Sequence, residues 1–292
     1  MDIFIQIVMS GLTLGAMYAI STISLSLVWG SLNVLNMAQG ALLVIGGYAS
    51  YAAVTAFGLP LAAGFVFALV VGGLVGAGMY YFVIRPMLGK DGFETNVIIA
   101  TVGLAIIFEN VVLKLFGAYP LSQPLALEGG LYIGTSHIPY QKLLIMAVSI
   151  VLMIAIATIL NRTWMGRAIR ATSQNREAAQ LMGVPVNLVF SQVLIIAGVL
   201  SAISGIMLSS ITTLSPTMGY DPMLKAFIIC VIAGLGNVAG ALYAAFALGL
   251  FEAFIQFVFG VRYGYPALLL LVIVVLIWRP YGVFGKKRVA RQ

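Results

Sequence analysis

PMLKAFIICVIAGLGNVAGALYAAFALGLFEAFIQFVF, residues 222–259, decides how this chain is built. A helix needs about 20 apolar residues to cross the hydrocarbon of a bilayer, and this run is nearly twice that long. Its one interruption is GLGN, residues 234–237. The run therefore reads either as one helix with a re-entrant piece or as two short crossings. Glu252 stands four residues before Gln256 and shares a helical face with it. A helix–helix hydrogen bond is the role expected there.

Runs of the same scale lie at 4–29, 38–57, 61–84, 96–116, 140–160, 187–212 and 263–278. Backbone groups in lipid must be satisfied within their own segment, so each run is expected to be helical. The fold class is an all-α polytopic membrane protein of about eight transmembrane helices, plus or minus one, with broken or re-entrant helices. Composition agrees. Of 292 residues, 62% are hydrophobic and 8% charged, against about a quarter charged in a soluble domain. No polar stretch is long enough to bury a core of its own, so residues 1–292 form one membrane domain. The first 30 residues lack a basic n-region, and their apolar run is longer than that of a signal peptide. They read as a retained first helix.

The formal charge of +7 reports topology rather than a nucleic-acid partner. Eleven of the 15 basic residues fall in three places: Arg85 and Lys90; Arg162, Arg167, Arg170 and Arg176; and Arg279, Lys286, Lys287, Arg288 and Arg291. Residues 117–140 contain no Lys or Arg. The positive-inside rule puts the three basic segments, and with them the C-terminus, in the cytoplasm and 117–140 outside. That outer loop, rich in Pro and Gly, is either a docking surface for an external partner or a connector.

Two breaks interrupt the apolar pattern: NMAQGAL (36–42) and GLGNVAGAL (234–242). Both hold an Asn, then an Ala, then Gly-Ala-Leu. Interrupted helices at matching positions often mark a transporter's path, so Asn36, Gln39, Gly40, Gly234, Gly236 and Asn237 are candidate path residues. Glu109 joins them, because an ionisable group inside a span is costly and suggests function. It either lines a polar pathway or is a satisfied carboxylate near the outer interface. The glycines of GGLVGAG (72–78) suit close helix packing.

Catalytic chemistry finds little to work with. His137 is the only histidine and Cys230 the only cysteine, so neither a His-based metal cluster or triad nor an internal disulfide can form. There is no HExxH, P-loop or CxxC motif. A transport subunit, not an enzyme, is expected.

One polar island remains: NRTWMGRAIRATSQNREAAQLMGVP, residues 161–185. Its Ala, Gln and Glu favour helix, and Gly183 followed by Pro185 ends it. A short cytoplasmic helix of this kind suits docking onto a partner.

Within the island, EAAQLMG (177–183) resembles the EAA-x-x-x-G pattern of ABC-importer permeases, whose cytoplasmic coupling helix enters a cleft on an ATPase. GRAIRATSQNREAAQLMGVPV (166–186) resembles the corresponding loop of the branched-chain amino acid permease family (LivH/LivM type), most like the LivH-type subunit. The likeness continues through SLNVLNMAQGALLVIGGY (31–48), NVIIATVGLAIIFENVV (96–112), SPTMGYDPMLKAFIICVIAGLGNVAGALYAA (215–245) and RPYGVFGKK (279–287). Two positions depart from the family pattern: Gln39 stands where His is common, and Ala233 where Gly is common. Gln39 keeps hydrogen-bonding capacity but cannot become charged near neutral pH.

The resemblance implies a subunit of a heteromeric importer in the bacterial cytoplasmic membrane. Its partners would be a homologous second permease, two cytoplasmic ABC ATPases holding ATP and Mg, and an external substrate-binding protein. No cofactor is implied in this chain. Glu177, Ala178, Ala179 and Gly183 would form the docking core, framed by Arg167, Arg170 and Arg176. The solute would be a branched-chain or related amino acid, with urea, short amides or another small polar solute as alternatives within the family. An autonomous channel or ion-coupled carrier is the alternative of another class, and it leaves the island without a purpose.

Overall fold

A computed structural model of the chain describes residues 2–124, 129–133 and 136–285. α1 (Asp2–Leu32) is one continuous helix, longer at both ends than its apolar run. It stops at Asn33, whose φ of 55° is left-handed, a conformation Asn tolerates better than most residues. Helix resumes as α2 (Gln39–Thr55). Next comes α3 (Leu61–Gly78), which widens into a π-helical stretch, Met79–Ile84, and closes with the single turn α4 (Arg85–Met87). α5 (Phe93–Phe116) follows.

The 117–140 segment is not wholly irregular. β1 (Gly130–Ile133) and β2 (Ser136–Pro139) form a two-stranded antiparallel ribbon there, the one sheet among the described residues. Such a ribbon closes its own hydrogen bonds in a connector too Pro- and Gly-rich for helix. Residues 125–128 and 134–135 of this segment, and the basic residues Lys286, Lys287, Arg288 and Arg291, lie outside the described residues.

α6 (Tyr140–Arg162) leads into two short helices, α7 (Trp164–Gln174) and α8 (Arg176–Leu181), before α9 (Val186–Ile211). Pro60, Pro139 and Pro185 stand immediately before α3, α6 and α9, at helix starts where a missing N–H costs nothing. α10 (Tyr220–Ala233), α11 (Val238–Phe259) and, after a 3₁₀ turn, α12 (Gly264–Trp278) complete the chain. Seven of the described helical segments are long and apolar enough to cross a membrane. α2 and α10 are the shorter, broken ones, which keeps the count within the range read from the sequence.

The GLGN question resolves as a reversal. Along α1, Gly11 meets Leu250, Gly15 meets Phe246 and Gly30 meets Gly236, so α11 runs antiparallel to α1. Tyr18 and Thr22 of α1 meet Lys225 and Cys230 in the same order, so α10 runs parallel to it. α10 and α11 are therefore the two arms of a hairpin that turns at residues 234–237.

α9 is the central helix. Two-thirds of its apolar window is buried (67%), against 17% for α5 and α6 and 11% for the last span. Small residues let its neighbours approach closely. A Cβ on Gly72 of α3 would stand 2.6 Å from the Gly198 carbonyl oxygen of α9. Polar side chains tie the same helices together, since hydrogen bonds substitute for a hydrophobic drive in lipid. Ser21 bonds Ser204, and Gln39 donates to Ser24 at 2.8 Å and to Ser201 at 2.7 Å.

The bundle has two distinct ends. One carries the 117–140 segment and the α9–α10 link, where Leu121 and Leu214 exchange two backbone hydrogen bonds of 2.9 Å. The other carries α7, α8, the 234–237 turn and residues 279–285; the Val283 N–H donates to the Ile232 carbonyl at 2.7 Å.

Candidate functional site

The polar island folds as two helices, not one. Thr163 starts α7, its hydroxyl accepting from the Gly166 N–H at 3.2 Å. Asn175 then adopts extended backbone and breaks the helix, and its side-chain oxygen accepts from the Ala178 N–H at 2.9 Å to start α8. An Asn in mid-sequence is a better cap than a helical residue, which explains the kink. Gly183 closes the unit at a φ of +84°, the left-handed value that favours glycine after a helix.

This geometry sorts the expected docking residues. Glu177, Ala178 and Gly183 face outward, whereas Ala179 is buried beneath them. Arg167 is exposed. Arg170 donates to the Leu160 carbonyl at the end of α6, and Arg176 lies over the Phe190 ring at 5.6 Å. The frame is thus partly occupied in fixing the loop to the bundle. The sequence reading passed over Leu181 and Met182, which are 88% and 84% exposed at the tip. The signal available for them was two large apolar residues directly before the terminating glycine.

The expected path residues separate into two groups. Helix α10 has 14 residues, about 20 Å at 1.5 Å per residue, and the groups sit at its opposite ends. At its start, Gly40 packs on the backbone of Gly219, and Glu109 accepts a hydrogen bond from the Tyr220 hydroxyl. The first turns of α2 and α10 and the Glu109 side chain line a small cleft there. Asn36 and Gln39 are buried just behind; the Asn36 side-chain oxygen accepts from the Ala38 N–H at 3.0 Å.

At the other end of α10, Gly234 lies against Gly285 and Gly236 against Gly30. Asn237 accepts from the Gly240 N–H at 3.0 Å and donates to the Phe284 carbonyl at 3.1 Å. Asn36 and Asn237 therefore do similar local work: each hydrogen-bonds backbone at the start of a helix. That shared task accounts for the likeness of the two breaks. The 234–237 turn also borders a cavity of about 400 Å³ whose polar lining includes Ser26, Asn161, Arg170, Ser173 and Asn237. α7 is one wall of that cavity.

A third polar cluster was only half visible in the sequence. Glu252 does make the expected helix–helix hydrogen bond, accepting from Tyr18 of α1 at 2.7 Å as well as from Gln256 at 2.9 Å. Its main partner is Lys225 of α10, at 2.7 Å. Glu252 is 1% exposed and Lys225 16%. Lys225 was the signal, a lone cation in an apolar run.

Comparison with known proteins fits this architecture. The family described as "Branched-chain amino acid transport system / permease component" matches residues 7–278. The high-affinity branched-chain amino acid transport system permease protein BraD of Pseudomonas aeruginosa is 28% identical over 99% of this chain and 98% of its own length. LivH of Escherichia coli K12, described in the same words, is 27% identical over 99% of this chain and 97% of its own. A probable LivH permease of Methanocaldococcus jannaschii is 27% identical over 90% of this chain and 87% of its own. With nearly every span covered, the chain belongs to the branched-chain amino acid permease family of ABC importers and is of the LivH type.

Proposed function

We propose that this chain and a homologous second permease together form the path of an importer for branched-chain or related amino acids. Two cytoplasmic ATPase subunits, holding ATP and Mg, drive it, and an external binding protein delivers the solute. This chain carries no cofactor, and nucleic acid takes no part. The positive-inside rule makes the end bearing α7, α8 and residues 279–285 cytoplasmic in the bacterial inner membrane, with the 117–140 segment outside.

One observation carries the coupling part of this reading. α8 and its cap present Glu177, Ala178, Leu181 and Met182 outward, while Ile169, Arg170 and Ser173 of α7 border the inner cavity. Movement of an ATPase against the tip is thereby delivered to the cavity wall. ATP binding shifts the permease between two states only through such differential contact.

The test is ATP-driven uptake of labelled leucine, beside urea, by the chain expressed with its ATPases, second permease and binding protein. Leucine uptake that requires the ATPases and is lost in Gly183→Trp supports the reading. Uptake by the chain alone would replace it with an autonomous carrier, and preference for urea would replace the solute.

A further inference from the structure

The end of the bundle that carries the 117–140 segment holds a second, open-sided cavity of about 490 Å³. Its lining combines two kinds of chemistry. Leu14 and Met17 of α1 and Leu208 and Ile211 of α9 supply apolar surface; Asp221, Lys225 and Gln256, with several hydroxyls between, supply polar surface. Lys142 stands in the same lining, its contact a 3.5 Å approach to Ser10.

The Lys225 ammonium has three N–H donors. Two are committed, to the Tyr18 hydroxyl at 2.8 Å and to Glu252 at 2.7 Å. The third has no acceptor among the described residues, and Lys225, 16% exposed, borders the cavity. Asp221 lies one helical turn earlier on α10 and borders the same cavity, and its carboxylate has no hydrogen bond or ion pair among the described residues. Residues four apart on a helix are about 6 Å from each other on one face. That spacing lets one small molecule touch both groups. Glu252 already neutralises Lys225, so Asp221 and Lys142 balance and the lining is neutral overall. A lining of this kind suits a molecule with one positive and one negative group better than an ion of either sign.

We infer that this cavity is a binding chamber for a zwitterionic α-amino acid with an aliphatic side chain. The carboxylate takes the third donor of Lys225, the ammonium takes Asp221, and the side chain lies on Leu14, Met17, Leu208 and Ile211. The inference rests on the importer reading and adds the residues that recognise the solute inside the membrane subunit. Urea can hydrogen-bond Lys225 and Asp221, but it brings no charge to either and no aliphatic arm to the apolar residues, so it is held more weakly.

The test omits the external binding protein, so that only the membrane assembly recognises the solute. Cys230 is buried, so a Thr213→Cys variant places one reactive thiol in the cavity wall. In the assembly reconstituted in liposomes, leucine near ten times its dissociation constant should slow maleimide labelling about tenfold. 4-Methylpentanoate, which lacks the ammonium, and urea should leave the rate unchanged. Asp221→Asn and Lys225→Met should each remove the protection. If Lys225→Met does not assemble, the exposed Asp221→Asn carries the test alone. An assembly that imports leucine once the binding protein is restored, yet shows no protection by leucine without it, overturns the chamber and leaves the importer reading standing. Equal protection by urea overturns it as well.

Discussion

The side-chain amide of Gln39 donates to the hydroxyl of Ser201 at 2.7 Å and to that of Ser24 at 2.8 Å, joining α2, α9 and α1 at one point. Gln39 is 1% exposed, so this knot is a packing element as much as a polar one. Gln39→Ala removes two interhelical hydrogen bonds and should cost about 1–3 kcal/mol of stability. A lower melting temperature in detergent with an unchanged Michaelis constant for leucine is the expected result. A raised Michaelis constant at full stability would instead put Gln39 in contact with solute.

Leu181 and Met182 project from the tip of α8, and none of the described residues of this chain covers them. Replacing both by Asp should leave expression and melting temperature within about 0.5 kcal/mol of the parent, as exposed positions usually do. Association with the ATPases should fall at least as far as in Glu177→Lys. Co-purification of the subunits measures it, and undiminished recovery of ATPase would move the docking surface off the tip.

Gly72 and Gly198 bring α3 and α9 within backbone contact. Gly72→Leu has no rotamer that avoids the facing carbonyl, so the helices must separate. Overpacking of this kind costs about 1–3 kcal/mol or more. Membrane insertion should be normal, since the span only becomes more apolar, while the folded fraction falls. Protease resistance after solubilisation reports the difference.

The spans were legible because lipid leaves few choices: an apolar run of sufficient length has to be a helix. The reversal at GLGN was undecided because a hairpin and a re-entrant loop have the same hydropathy; the order of contacts from Gly11–Leu250 to Gly30–Gly236 separates them. The kink at Asn175 escaped for a related reason. Helix propensity sums over a window, whereas one Asn capping Ala178 is a local event. The two breaks read alike in the sequence yet lie at opposite ends of α10, because matching short motifs say nothing about which end of a helix each will occupy. Lys225 and Asp221 were passed over, although a cation in an apolar run needs a partner. Glu252 lies 27 residues away and is found only when α10 and α11 fold together.

Glu109 gives the last prediction. It lies seven residues before the end of α5, about 10 Å inside the helix terminus, and is half-buried, with the Tyr220 hydroxyl as its hydrogen-bond donor. No cation pairs with it among the described residues. A carboxylate at that depth does not face lipid without a large penalty, so in the assembly it faces water or another subunit. Glu109→Leu removes the acceptor of a hydrogen bond to a charged group, a loss of about 1.5–3 kcal/mol. Maximal leucine uptake should drop about tenfold or more. Tyr220→Phe should show a smaller loss in the same direction, because the carboxylate remains. A Glu109→Cys variant should react with a membrane-impermeant thiol reagent added on the outside. Full uptake by Glu109→Leu, together with an unreactive cysteine, would return Glu109 to a satisfied carboxylate with no part in the path.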